Sequence, residues 1–217
     1  MLSELQLDVT YRSDAGRIVT DFYVPCMIRS RLYRRAVGYF TSYGLAFAAP
    51  GVAHLLTNGG KIRLIASPQL SEEDILAISL GYETRNEVVA RVTSQTFKEI
   101  EDTLVKERLN ALAWLISSGA MDIKLAIRVD SSGQLQRGIY HEKIGIFADD
   151  TGNSVAFAGS SNETIGGLIE NFESIEVYWS WDDSQGRVDR KTADFERLWD
   201  NNTKGLEVVN FNEATQE

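Results

Sequence analysis

At 217 residues, 43% of them apolar and 24% charged, the chain has enough material for one domain with a substantial core and no compositional mark of disorder. A net charge of -9 excludes a protein that coats nucleic acid through its overall field, and the single cysteine excludes an internal disulfide and any cysteine zinc cluster. The opening stretch MLSELQLDVTYRSDAG lacks a basic segment followed by an apolar one, and no apolar run approaches the roughly 18 to 20 residues of a membrane span, so the expectation is a cytoplasmic protein without a membrane partner.

In chain order, the densest basic cluster comes first: Arg29, Arg31, Arg34 and Arg35 fall within seven residues of IRSRLYRRAVGYF. Its ordinary reading is a solvated face, with phosphate steering as the alternative. RRAVGYF (34–40) is a short β-prone run, 42–60 is a helical pattern closed by Gly59-Gly60, and KIRLIAS (61–67) is a strand ending at Pro68. Ser71 followed by Glu72, Glu73 and Asp74 predicts a helix start with acidic residues in its first turn. From about 83 to 117 runs a helical stretch without proline or glycine. Strands follow at MDIKLAIRV (121–129), YHEKIGIFAD (140–149), SVAFAGS (154–160) and SIEVYWSW (174–181), with DDTGN as a hairpin turn and 188–201 as a closing helix. Alternating strands and helices predict an α/β fold, one domain over 1–205 and a tail or linker over 206–217.

The chemistry concentrates in the second half. On an extended segment, residues two apart share a side, so His141 and Lys143 project together while Glu142 points away. Gly145, next on that side, predicts open space. The strand 154–160, returning after a tight turn, delivers Ser160, Ser161 and Asn162 to the same rim. Imidazole, ammonium, hydroxyl and carboxamide converging without a carboxylate cluster suit a phosphate diester, with the histidine able to attack phosphorus and the lysine to neutralise its oxygens. A carboxylate to orient the imidazole is still needed, and Glu173, 11 residues past Asn162, is the candidate. His54 lies among apolar neighbours and reads as structural, as does Cys26. Tyr39 and Phe40 are open between core packing and stacking on a base.

The pattern His141-x-Lys143, then Gly159-Ser160-Ser161-Asn162 beginning 16 residues after the lysine, then Glu173, resembles the signature of the phospholipase D superfamily. The path through VGYFTSYGLAFAAPGVAHLL and GGKIRLIASP to FERLWDNNTKGLEVV is similar to the nuclease-like domains at the N-terminus of bacterial superfamily 2 helicases and in restriction or defence proteins. The resemblance implies a mixed β-sheet flanked by helices, and catalytic roles for His141, Lys143, Ser160, Asn162 and Glu173. It also implies a covalent phosphohistidine, no metal and no other cofactor. The family pattern carries an aspartate where this chain has Ala148, with Asp149 and Asp150 just beyond, so Asp149 is left outside the site. One motif per chain, where the mechanism needs two histidines, predicts a homodimer whose motifs meet across a two-fold axis. The expected partner is nucleic acid, DNA foremost, together with a helicase or restriction protein in trans or by fusion. The competing readings are a phospholipid phosphodiesterase and a catalytically quiet dimerisation or DNA-holding module.

Overall fold

The computed structural model describes residues 1–14, 17–83, 107–160 and 173–211. In chain order the strands are β1 (Thr10–Arg12), β2 (Leu32–Val37), β3 (Lys61–Ala66), β4 (Met121–Arg128), β5 (Ile144–Ala148), β6 (Ser154–Gly159), β7 (Ser174–Trp179) and β8 (Leu206–Asn210). The helices are α1 (Val24–Ile28, entered through a π-helical turn at Val19–Tyr23), α2 (Ser42–Phe47), α3 (Ala49–Thr57), α4 (Glu72–Glu83), α5 (Arg108–Ser117) and α6 (Arg187–Trp199). The strands form one mixed sheet in the order β1-β7-β6-β5-β2-β3-β4-β8, with β2, β3 and β4 parallel and every other neighbouring pair antiparallel.

The sheet is covered on both faces, which is why its central strands are apolar on both sides. One face packs Tyr33, Leu64, Ile123, Phe147 and Phe157 against Met27, Val52, Leu112 and Ile116 of the helices from α1 to α5. Phe22, Tyr23, Phe147 and Phe157 meet there with ring centroids 5.2 to 6.2 Å apart. Each buried ring contributes about 1.5–3 kcal/mol of burial free energy. The other face packs Ala36, Ile144, Ile146 and Ala156 against Val188, Phe195 and Leu198 of α6. Those three residues lie on one stripe of the helix, and Glu196 beside it bonds Arg34 at 2.6 Å and Arg63 at 3.4 Å.

The start signal at Ser71 works as expected. Its hydroxyl accepts the Asp74 N–H at 3.2 Å and donates to the Asp74 carboxylate at 2.8 Å, closing the first turn of α4. Of the helical stretch expected over 83–117, α5 occupies the C-terminal part, and 84–106 lies outside the described residues. The expected tail from 206 is corrected in its first part. Leu206–Asn210 is β8, paired to β4 from Arg128↔Leu206 to Lys124↔Asn210, and Phe211 is buried with its ring stacked on Tyr82. Residues 212–217 lie outside the description. An edge strand of five residues has too little periodicity to announce itself, since its pairing partner supplies the reason for it to be extended.

Candidate active site

The parallel strands β2 and β3 and the antiparallel β6 all end at one rim, where β5 and β7 begin. A crevice outside the carboxyl ends of parallel strands is where such sheets place ligands, because successive connections diverge there. His141 and Lys143 sit at this rim, in the extended segment just before β5 rather than within the strand itself. The Lys143 ammonium lies 3.0 Å from His141 Nε2 and donates also to the His141 carbonyl at 3.1 Å. An ammonium has no lone pair, so Nζ donates and Nε2 accepts, which puts the neutral ring's proton on Nδ1. An imidazole lone pair and an ammonium are thereby side by side at the rim. Glu142 faces away, accepting the Tyr140 hydroxyl at 3.2 Å.

The seat of the imidazole comes from the end of β2. A Cβ on Gly38 would lie 2.3 Å from His141 Cδ2, so only glycine lets the ring rest against the backbone there. The Gly38 carbonyl is fixed in turn by the buried Ser67 hydroxyl at 2.5 Å, and Tyr39 presents its ring edgewise to the imidazole at 5.6 Å. Of the two aromatic candidates at this point, Phe40 is core and Tyr39 is partly exposed beside His141. Gly38 and Ser67 were not singled out from the sequence. Nothing local distinguishes them, because Gly38 matters through His141, far along the chain, and Ser67 acts through the Gly38 carbonyl.

On the other side, Ser160 clasps the start of β7. Its N–H donates to the Ser174 carbonyl and its hydroxyl accepts the Ser174 N–H, both at 3.1 Å. That clasp sets the neighbouring Glu173, whose backbone exchanges bonds with Ser13 at 3.0 Å. The Glu173 side chain is 5% exposed, and its Oε2 has no hydrogen-bond partner among the described residues. Burial foremost, and then the Arg35 guanidinium, lower the Lys143 pKa, and the Glu173 carboxylate opposes them. Lys143, Glu173 and Arg35 therefore share one electrostatic neighbourhood. Ser161 and Asn162 lie outside the described residues.

Two expectations change. Gly145 does not leave open space: the Phe157 ring lies over it, 2.2 Å from where a Cβ would stand. The basic cluster does not form one surface. Arg34 is paired with Glu196 on the α6 face, Arg31 with Asp150 at the opposite rim at 3.4 Å, and Arg35 is buried on the other face. Asp149 stands at the far end of β5 from His141, where it accepts five bonds. These come from the Leu2, Thr151 and Asn153 N–H groups, each at 2.9 Å, and from the Thr151 hydroxyl and Asn153 amide at 2.8 and 3.2 Å. Cys26 is buried and burial pushes its thiol up, which suits a core residue.

No family model matches the sequence, and no curated protein does. Among solved structures, NucT from Helicobacter pylori superposes with a TM-score of 0.55 at 13% identity, covering 93% of this chain and 96% of that one. Nuc from Salmonella typhimurium, a phospholipase D family member, gives 0.49 at 14% identity over 93% of this chain and 96% of that one. Phosphatidylserine synthase from Haemophilus influenzae Rd KW20 gives 0.48 at 15% identity, with 94% of this chain and 40% of that chain covered. The chain thus has the expected α/β architecture, a mixed sheet flanked by helices, and shares its fold with NucT. Among the described residues no helix is long and apolar enough to cross a membrane.

Proposed function

We propose that the chain is a phosphodiesterase acting through His141 without a metal ion, with DNA as its substrate and endonucleolytic cleavage as its reaction. The observation that carries this reading is the 3.0 Å approach of Lys143 Nζ to His141 Nε2 at the open rim of a phospholipase D-like sheet. An incoming phosphate competes with Nε2 for the ammonium. Its nonbridging oxygens take over the Lys143 bond, and the freed lone pair faces phosphorus.

Attack forms the N–P bond and breaks the P–O bond to one nucleoside oxygen, which must leave protonated. In this reading the proton comes from His141 of a second copy, held as imidazolium across a two-fold axis. Water then attacks phosphorus, the second histidine takes its proton, and the N–P bond breaks to return both rings to their starting states. Asn162 and Ser160 would orient the phosphate, and Glu173 would balance the charge that builds on the rings and the lysine. A partner helicase or restriction protein, in trans or fused, would supply the context for cleavage, in the cytoplasm.

The test is incubation of the protein and its His141→Ala variant with labelled single-stranded and duplex DNA in excess EDTA, alongside a measurement of mass in solution. Cleavage that the variant loses, by a species of twice the chain mass, is the expected result. Headgroup release from phospholipid with no DNA cleavage would replace the substrate. DNA binding without turnover, equal in both proteins, would leave a holding module, and full activity in a strict monomer would overturn the shared site.

A further inference from the structure

Strand β2 runs out at the rim into Gly38, Tyr39 and Phe40, and the three are placed very differently. Phe40 is 2% exposed within the core and anchors the segment, while Gly38 gives the His141 ring its seat against the backbone. Tyr39 between them is 37% exposed, with its ring centroid 5.6 Å from that of His141 and the two planes at 81°. The contact is perpendicular, so the imidazole is touched without being stacked upon, and Nε2 keeps its bond from Lys143. Among the described residues two further aromatic rings are as exposed, and both pack elsewhere. Tyr43 lies under the Arg108 guanidinium at 3.9 Å, and Trp181 stacks on Trp179 at 6.3 Å. Tyr39 is therefore the exposed aromatic ring that stands against the candidate nucleophile.

We propose that Tyr39 is a substrate-binding residue, its ring stacking on the base adjacent to the phosphate held at His141 and Lys143. In a nucleotide, base and phosphate are joined through one sugar. A phosphate seated at Nε2 therefore places a base within reach of a ring in contact with the same imidazole. Every base has a π-face, so an aromatic platform grips the strand without reading its sequence. A tyrosine ring does so at small entropic cost, since only two side-chain torsions are fixed. Stacking is made with substrate and transition state alike, so it acts on affinity rather than on the chemical step. For its substrate the inference rests on the phosphodiesterase reading, to which it adds the group that the base meets.

The test uses an end-labelled single strand of DNA carrying one tetrahydrofuran abasic residue, cleaved in EDTA by the wild type and by Tyr39→Ala, Tyr39→Leu and Tyr39→Trp, with thermal melting of each. In the wild type, cleavage should drop on the order of tenfold at a bond flanking the abasic residue, the scale on which one stacked base acts. Tyr39→Ala should cut evenly across that position. Its KM for intact DNA should rise by a similar factor with kcat within about twofold of the wild type, and Tyr39→Trp should restore the gap. An even ladder from the wild type overturns the proposal, as does a gap that survives in folded Tyr39→Ala. A fall in kcat at unchanged KM also overturns it, since the ring would then only support His141. If Tyr39→Ala fails to fold, Tyr39→Leu takes its place, keeping apolar bulk beside the imidazole without an aromatic face. Equilibrium binding of intact and wholly abasic strands by His141→Ala, with and without Tyr39→Ala, separates the two readings. A loss of affinity confined to the intact strand, with no cleavage by the wild type, sinks the phosphodiesterase reading alone. Equal affinities sink the stacking on Tyr39, and no binding by any form sinks both.

Discussion

Strand β5 has two unlike ends. At one, His141 and Lys143 stand at the rim with a lone pair turned toward a cation, and Glu173 nearby is buried with a carboxylate oxygen lacking a hydrogen bond among the described residues. At the other, Asp149 accepts five hydrogen bonds that close the β5–β6 turn and tie down Leu2, itself fully buried. The sequence puts an acid near both ends and a motif across the whole strand. In the proposed function only one end takes part in chemistry, and the difference lies in satisfaction. Polar groups that hold the fold have used their bonding capacity, whereas groups meant to meet a ligand retain some of it at a cost in stability.

Substitutions at the two ends should separate accordingly. His141→Ala should lower DNA cleavage on the order of 10⁴-fold while moving stability by no more than about 0.5 kcal/mol, read by single-turnover assay and chemical denaturation. A large loss of stability instead would make the histidine a structural residue and dissolve the contrast. Gly38→Ala sharpens it without touching the motif. The new methyl must displace the imidazole, so cleavage should fall about a hundredfold with melting nearly unchanged, and retained cleavage would show that the ring is not seated there.

Asp149→Ala should do the reverse, costing about 2 kcal/mol of stability by denaturation while leaving cleavage intact below its melting point. The smallest effect is on acid stability. Burial works to raise the Asp149 pKa, but the bonds from Leu2, Thr151 and Asn153 together outweigh it and hold it at about 2. With an unfolded value near about 3.9, the group's contribution is fully present above that pH and lost as the pH falls through the folded value. Asp149→Asn should flatten that part of the acid transition, and an unchanged transition would mean the turn is held by other bonds.

Much of the site was legible because its logic is short-ranged. The parity of His141 and Lys143 survives although both precede the strand, since an extended segment alternates sides whether or not it is paired. Glu173 could be picked by spacing, and the turn at 149–153 by its composition. Arg35 could not be recognised within its cluster of four arginines, because a run of like residues does not say which one points inward. Gly38 and Ser67 were silent for a related reason, as Gly38 matters through a contact with His141 far along the chain and Ser67 through its bond to the Gly38 carbonyl. The open space expected beside Gly145 was wrong because the absence of a side chain says nothing about whose ring will fill the gap.

The sequence by itself determined the α/β class, the central strands, the capped start of α4 and the pairing of imidazole with ammonium, all set by periodicity and by contacts within a few residues. Tertiary structure decided the strand order β1-β7-β6-β5-β2-β3-β4-β8, the recruitment of Thr10–Arg12 and Leu206–Asn210 as edges, and the burial of Arg35 against the Phe157 ring. Those outcomes depend on which surfaces can be removed from water together. That is a property of the whole chain, and no window of neighbouring residues contains it.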